Sequence, residues 1–355
     1  MKYIWYSIIA TLILGFSFLF VSGYINKDET VTFFPTYGYY EDDELVVDIH
    51  GWIYELEERS IFRNMFIKTI QLSDKETRNN PLFKKRMRYF LADNEGGKKI
   101  PIQIAGSVLT LPKSHANGHF SLSTKFKKNQ VQEYIKSGIL PYHVSEQKSD
   151  DRKFSGEIHI VDKEGVSVIS DIDDTIKISN VLNKKELVRN TLLRPFKAVK
   201  NMPEVYQKWK KLGANFHYVS GSPWQLYPDL QQFFIDSKYP FGSFHLKKFR
   251  IKDSSIVKFL KSDQFKYKSA IIEKIIDRFP KRRYVLVGDT GEMDATVYAH
   301  IAKKYPKQII AICVRDVQKA DDSLENYKKL FAKIDSTIKW MVFSDAKELE
   351  SIQLK

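Results

Sequence analysis

The sequence predicts an α/β protein: a doubly wound parallel sheet over residues 136–355, preceded by a small β-sandwich-like domain over 28–135 and an apolar transmembrane helix within 1–27. Three observations carry that reading. The first is an uncharged run from Tyr3 to Asn26, the second a set of short alternating segments between about Thr30 and Phe126, and the third a series of apolar runs after Val131 that alternate with amphipathic stretches.

A chain of 355 residues with 43% hydrophobic content can pack more than one core, so two domains are expected. The 57 Lys and Arg against 43 Asp and Glu leave +14, which favours an anionic partner such as a membrane surface, nucleic acid or phosphorylated substrate. Residues 189–283 hold 21 Lys or Arg against 7 Asp or Glu, an excess equal to that of the whole chain. Solvated helix faces explain this concentration as well as a functional patch does. No nucleic-acid-binding motif accompanies it, so the expected partner is an anionic phospholipid membrane and no nucleic acid is expected.

The Tyr3–Asn26 run is long enough to cross the roughly 30 Å core of a bilayer. It reads as a signal-anchor or a signal peptide, and Val21-Ser22-Gly23 matches a cleavage site only marginally. Lys2 lies before the run and the acidic residues 41–44 after it, so the positive-inside bias puts the body on the periplasmic or extracellular side.

The β-rich part shows TVTFFPTYGYY, LVVDIHGWIYEL, IPIQIAGSVLTLP and GHFSLSTKF, with polar connectors between them. The basic KKRMR at 84–88 reads as an exposed connecting segment. After Val131, VSVIS, NFHYVS, FGSFHL, RYVLVGD and QIIAICV alternate with helical stretches such as MPEVYQKWKKLG and YKSAIIEKIIDRF, as in a parallel sheet covered on both faces. Ligands of such sheets gather at the carboxyl ends of the strands.

Polar clusters fall there. The SVISDIDDTIKIS stretch sets Asp171, Asp173 and Asp174 at the end of an apolar run, Ser220 ends NFHYVS, Lys268 opens a helix, and GDTGEMD at 288–294 follows RYVLV. Crowded carboxylates repel unless one protonates or a cation joins them, and an oxygen-only set suits Mg²⁺. An EF-hand does not fit, because its Gly and Glu positions counted from Asp171 fall on Ile176 and Leu182. Asp171 can attack phosphorus to form an aspartyl-phosphate, and Asp173 can serve as acid and base. Lys268 can neutralise phosphate oxygens and Ser220 can hydrogen-bond one, with Lys266 a competitor for the lysine role. Asp294 would orient metal-bound water. Thr175 would brace the loop, and Thr175, Ser222 and Trp224 are candidates for holding the substrate.

Other chemistries find little support. Cys313 is the only cysteine, which rules out an intramolecular disulfide or a cysteine metal cluster and leaves a buried structural thiol. The eight histidines show no H-E-x-x-H spacing, and Gly221-Ser222-Pro223 is not the G-x-S-x-G of a serine esterase.

The D-x-D-x-T, strand-terminal Ser, Lys and G-D-x-x-x-x-D motifs, in that order, resemble the haloacid dehalogenase superfamily. More closely, DIDDTIK, FHYVSGSPWQLYP and FPKRRYVLVGDTGEMD are similar to the Mg²⁺-dependent phosphatidate phosphatases typified by the fungal actin-patch-associated enzyme and its bacterial relatives. Upstream, GWIYE and FFPTYG resemble that family's β-rich leader, so the similarity runs from about Phe33 to Ser344. The resemblance implies a haloacid dehalogenase-like catalytic domain that hydrolyses phosphatidate, or a related lipid phosphate, to diacylglycerol and phosphate. It implies Asp171 as nucleophile and Asp173 as acid/base, with Mg²⁺ held by the Asp171 side chain, the Asp173 backbone carbonyl and Asp289, and with Asp294 beside them. A soluble phosphomonoester or phosphoprotein as substrate, or an inactive membrane-tethered lipid-binding module, are the alternatives.

Overall fold

The computed structural model describes residues 25–56, 72–145, 150–249, 263–318 and 323–354. The chain divides into two compact units, Met1–Leu56 with Ala92–Ile160 and Glu57–Leu91 with Val161–Lys355. Among the described residues no helix is long and apolar enough to cross a membrane. The expected transmembrane helix is corrected accordingly, and with it the anchoring and the side of the membrane drawn from it. Of the Tyr3–Asn26 run that suggested it, residues 3–24 lie outside the described residues.

The first unit is a nine-stranded mixed sheet: β1 (Glu29–Phe34), β2 (Thr36–Glu41), β3 (Glu44–Glu55), β4 (Asp93–Asn94), β5 (Pro101–Ile104), β6 (Ser107–Thr110), β7 (His119–Lys127), β8 (Ile139–Val144) and β9 (Ser155–Ile160). The twelve-residue β3 joins it together. Its second half pairs with β1 from His50↔Phe34 to Glu55↔Glu29, its first half with β2, and most of its length with β7 on the other side. Side chains that alternate in sequence alternate in burial, as in β8, where Leu140, Tyr142 and Val144 turn inward and Pro141 and His143 outward. Leu45, Val47, Ile49, Ile102, Leu140 and Ile158 meet in one apolar core.

The second unit is built on a six-stranded, all-parallel sheet: β10 (Gly165–Ser170), β11 (Asn215–Pro223), β12 (Ser243–Lys247), β13 (Arg282–Asp289), β14 (Ile309–Arg315) and β15 (Lys339–Phe343). Their order is β12-β11-β10-β13-β14-β15. The chain therefore winds outward one way from β10 and then returns to start the other way at β13. That switch point opens a crevice at the carboxyl ends of β10 and β13, the place where open α/β sheets bind ligands.

Helices α1 (Pro81–Leu91), α2 (Lys184–Leu192), α3 (Met202–Lys211), α4 (Tyr227–Asp236), α5 (Gln264–Arg278), α6 (Asp294–Lys304) and α7 (Ser323–Phe331) belong to this unit. In α3, Met202, Val205, Tyr206 and Trp209 form a buried stripe at helical spacing, and Gly213, at φ +92°, ends the segment. In α5 the Asp263 carboxylate accepts from the Lys266 backbone N–H at the helix start, and the buried stripe is Lys268, Ser269, Ile272, Ile275 and Ile276.

The KKRMR stretch is the middle of α1 rather than an exposed connector. Phe83, Arg86, Met87 and Phe90 are buried, and the Arg86 guanidinium donates to the carbonyls of Thr191 and Arg194, faces Asp229 at 3.3 Å and lies 4.0 Å from the Phe196 ring centre. Arg282 is likewise buried at the amino-terminal edge of the sheet. It donates to Ser167 Oγ, to the carbonyls of Asp162, Glu164 and Val166, and to Asn215 Oδ1.

Candidate active site

Strand β10 is buried on both faces from Val166 to Ser170, as a central strand of a parallel sheet is, and it delivers Asp171 to the crevice one residue past its end. The Asp171 backbone N–H donates to Val287 O at 2.9 Å, which ties the start of the loop to β13. The loop then turns sharply. Ile176 and Lys177 N–H both return to Ile172 O, and Asp174 adopts φ +54°, a left-handed conformation that aspartate tolerates better than most residues. The Asp174 carboxylate accepts from the backbone N–H groups of Ser179, Asn180 and Val181 at 2.6–2.9 Å, and its carbonyl accepts from Arg315 Nη1. This third aspartate shapes the loop.

From the other strand, β13 ends in Gly288-Asp289. Asp289 Oδ1 accepts from Gly291 N–H at 2.6 Å, and the Asp289 N–H donates to Asp294 Oδ2 at 3.2 Å. Gly288 is required by this approach, since a Cβ there would come within 2.5 Å of Asp294 Oδ2. Lys268 reaches in from α5, donating to Asp171 Oδ1 at 2.9 Å, Asp294 Oδ1 at 2.5 Å and Glu292 Oε2 at 3.1 Å. Lys266, two residues earlier, is exposed, so position along the helical stripe selects between the two lysines.

Carboxylate oxygens of Asp171, Asp289 and Asp294 all lie within 4.8 Å of one another, and all three residues are buried. Burial pushes the Asp171 carboxyl well above the ordinary carboxylate range, Lys268 opposes the rise, and the charges of Asp294, Glu292 and Asp173 add to it. Asp289 is raised for the same reason, burial first and then Asp294 and Asp171. Burial works against the Lys268 ammonium, but Asp171, Asp294 and Glu292 outweigh it and hold the charged form. One ammonium thus faces more negative charge than it can neutralise.

Asp173 stands in a separate set of contacts. Its Oδ1 meets Lys177 Nζ and Ser179 Oγ, both at 2.6 Å, and its Oδ2 accepts from Ser222 Oγ at 2.6 Å and Ser220 Oγ at 3.2 Å. Burial raises this carboxyl, but the Lys177 ion pair and the Lys177, Ser179 and Ser222 donors more than offset it and bring it down to about 2. Ser220 and Ser222 therefore act here on a carboxylate. Thr175 Oγ1 sits 3.4 Å from Asp171 Oδ2 and 3.5 Å from Asp289 Oδ2, long contacts that bridge the two strand ends. Trp224 is buried in the helical turn after β11, its ring centre 6.4 Å from that of Tyr227. Cys313 is buried within β14, and burial pushes its thiol up to about 12, as an inert core residue requires.

Four residues of the site escaped the sequence reading, Ser179 on Asp173 Oδ1 among them. Lys177 follows Asp173 by four, and a lysine inside an apolar, turn-forming stretch was the available signal. Glu292 lies inside GDTGEMD itself. Arg315 comes from the end of β14, far along the chain, and nothing local marks it.

Residues 166–316 match the family model described as the catalytic domain of phosphatidate phosphatase APP1. The chain is 31% identical over 173 residues to phosphatidate phosphatase APP1 of Saccharomyces cerevisiae, covering 46% of this chain and 29% of that protein. It is 32% identical over 170 residues to an uncharacterized protein of Schizosaccharomyces pombe, covering 47% of this chain and 27% of that protein. The chain thus spans less than a third of the length of these curated relatives, and the matched family segment, 166–316, runs from β10 through the end of β14 and contains Asp171, Asp173, Ser220, Lys268, Asp289 and Asp294.

Proposed function

We propose that this chain is a phosphatidate phosphatase that works through an aspartyl-phosphate on Asp171. One observation carries the reading: within the segment similar to the APP1 catalytic domain, Lys268 lies 2.9 Å from Asp171 while Asp289 and Asp294 close on the same point at the sheet's switch position.

In this scheme an Asp171 oxygen attacks phosphorus and the bond to the glycerol oxygen breaks. Lys268 keeps the attacking carboxylate oriented and offsets charge on the phosphoryl oxygens. Asp173, ionised at rest, takes up a proton when the anionic phosphate arrives beside it and gives that proton to the leaving alkoxide. In the second half it accepts a proton from the water that attacks the aspartyl-phosphate, and phosphate departs. Lys177, Ser179, Ser220 and Ser222 fix the carboxyl group that makes both transfers.

The donor set fits Mg²⁺: three buried carboxylates meet at one point, two of them driven toward protonation by burial and by each other's charge. Asp171, Asp289 and Asp294 would hold the ion, and when bound it would neutralise and orient the phosphoryl oxygens.

The test is phosphate release from phosphatidate in mixed micelles, with Mg²⁺ or with a chelator, beside a soluble phosphomonoester and a phosphopeptide. Release from phosphatidate that stops on chelation and in Asp289→Asn is expected. Release from only the soluble compounds would transfer the chemistry to another substrate, and no release from any would leave a binding module.

A further inference from the structure

Six large apolar side chains remain exposed in the parallel-sheet unit among the described residues, and three of them flank the acidic crevice: Ile178 at 36%, Leu182 at 54% and Met293 at 43% exposure. Ile178 and Leu182 stand on the loop that follows Asp173 and Asp174, and Met293 on the loop between Asp289 and Asp294. The two loops touch, since a Cβ at Gly291 would meet Val181 Cγ2 at 2.6 Å. The first loop is firm, with three backbone N–H groups bound to the Asp174 carboxylate, so its apolar side chains are held outward by a built turn.

Charge surrounds them. Ile178 N–H donates to Lys197 O, Lys184 and Lys185 follow Leu182 after Asn183, and all three lysines are exposed and form no ion pair among the described residues. Apolar tips beside free ammonium groups match the two layers of an anionic bilayer, acyl boundary and phosphate surface.

We infer that Ile178, Leu182 and Met293, with Lys184, Lys185 and Lys197, form a docking face for an anionic phospholipid bilayer that sets the crevice at the lipid surface. The choice of occupant rests on the lipid-phosphatase reading above. Leu212, exposed in the turn before β11, lies at the opposite edge of the parallel sheet and serves as the contrast.

The full chain as Leu182→Cys, or as Leu212→Cys, takes an environment-sensitive dye at one position, because Cys313 is buried. Each is mixed with phosphatidylglycerol–phosphatidylcholine vesicles free of phosphatidate. The dye at 182 should shift to the blue and be quenched by brominated acyl chains, while the dye at 212 stays as in water. Lys184→Glu, Lys185→Glu and Lys197→Glu together should weaken the vesicle-induced shift at least about tenfold in lipid concentration. A water-like dye at 182, or equal responses at 182 and 212, would overturn the docking face. Docking without phosphate release from phosphatidate micelles would instead sink the catalytic reading alone.

Discussion

In the β-rich unit the only buried carboxylate among the described residues is Glu29, which is met by Lys98 and by Asn26, whereas the parallel-sheet unit buries Asp171, Asp173, Asp174, Asp229, Asp289 and Asp294. The cores themselves are alike in kind, branched aliphatic and aromatic side chains on alternating or continuous strands. What differs is where charge is allowed. In the first unit other ion pairs, such as Lys125 with Glu41 and Glu44, stay half exposed on the sheet surface, where water carries most of the solvation. In the second, carboxylates are concentrated at the carboxyl ends of β10 and β13, desolvated and only partly compensated. A buried charge without enough partners works against stability, so its presence marks a surface shaped for something other than folding.

That contrast can be broken at its strongest point first. Asp171→Asn should lower phosphate release by a factor on the order of 10³ or more, the scale expected for loss of a nucleophile. Its melting temperature should hold or rise, because the variant removes a carboxyl that burial and the nearby acidic charges already push toward the neutral form. Equal loss of stability and activity would mean that Asp171 is a structural residue.

Lys268→Met makes the opposite cut, leaving Asp171 and Asp294 buried without their cation. Loss of one partner from such a set costs about 3–5 kcal/mol, or a fall of about 10 °C in melting temperature for a domain of this size. A melting curve that does not move would show the acidic crevice to be solvated.

A smaller effect concerns His245 on β12, which burial, with Lys274 contributing, holds down to about 3 from an ordinary 6.5. Because the folded state resists protonation there, its stabilising contribution is complete above pH 6.5 and is lost as pH falls toward 3, at up to about 1.4 kcal/mol per pH unit. His245→Gln should flatten the acid limb of a melting-temperature profile over that range. An unchanged slope would place the imidazole in water.

At the far end, Lys125→Ala should leave the melting temperature of the β-rich unit unchanged within error, since both partner carboxylates are as exposed as the lysine. A clear drop would narrow the difference between the two units.

Much of the second unit was legible in the chain because its signals are local and strong. Apolar runs ending in Asp171, Ser220 and Asp289 gave both the strands and their carboxyl ends, while Lys266 stayed a competitor of Lys268 until the buried stripe Lys268, Ile272, Ile275 of the folded helix separated them. Strand β15 passed unnoticed: KWMVF is a short edge strand, half-buried, and carries no site residue. The KKRMR stretch misled because charge density reads as solvent exposure, while the long Arg86 side chain buries its stem and saturates its head on the carbonyls of Thr191 and Arg194. Ser220 and Ser222 were assigned toward substrate, yet they donate to Asp173, a geometry set by a loop fold that no spacing rule announces. The apolar run before Lys27 satisfied a length criterion for crossing a bilayer, but hydropathy alone tests reach and nothing more.

The buried Arg282 has a bearing on timing and alignment at the opposite end of β10. Its five partners come from the backbone of residues 162–166, the Ser167 hydroxyl and Asn215, so a slip of β10 against β11 or β13 would orphan several desolvated donors at once. A guanidinium at one edge of the sheet thus indexes the strand like the detent of a ratchet, and the Asp171 carboxyl just past the other end of β10 inherits that indexing.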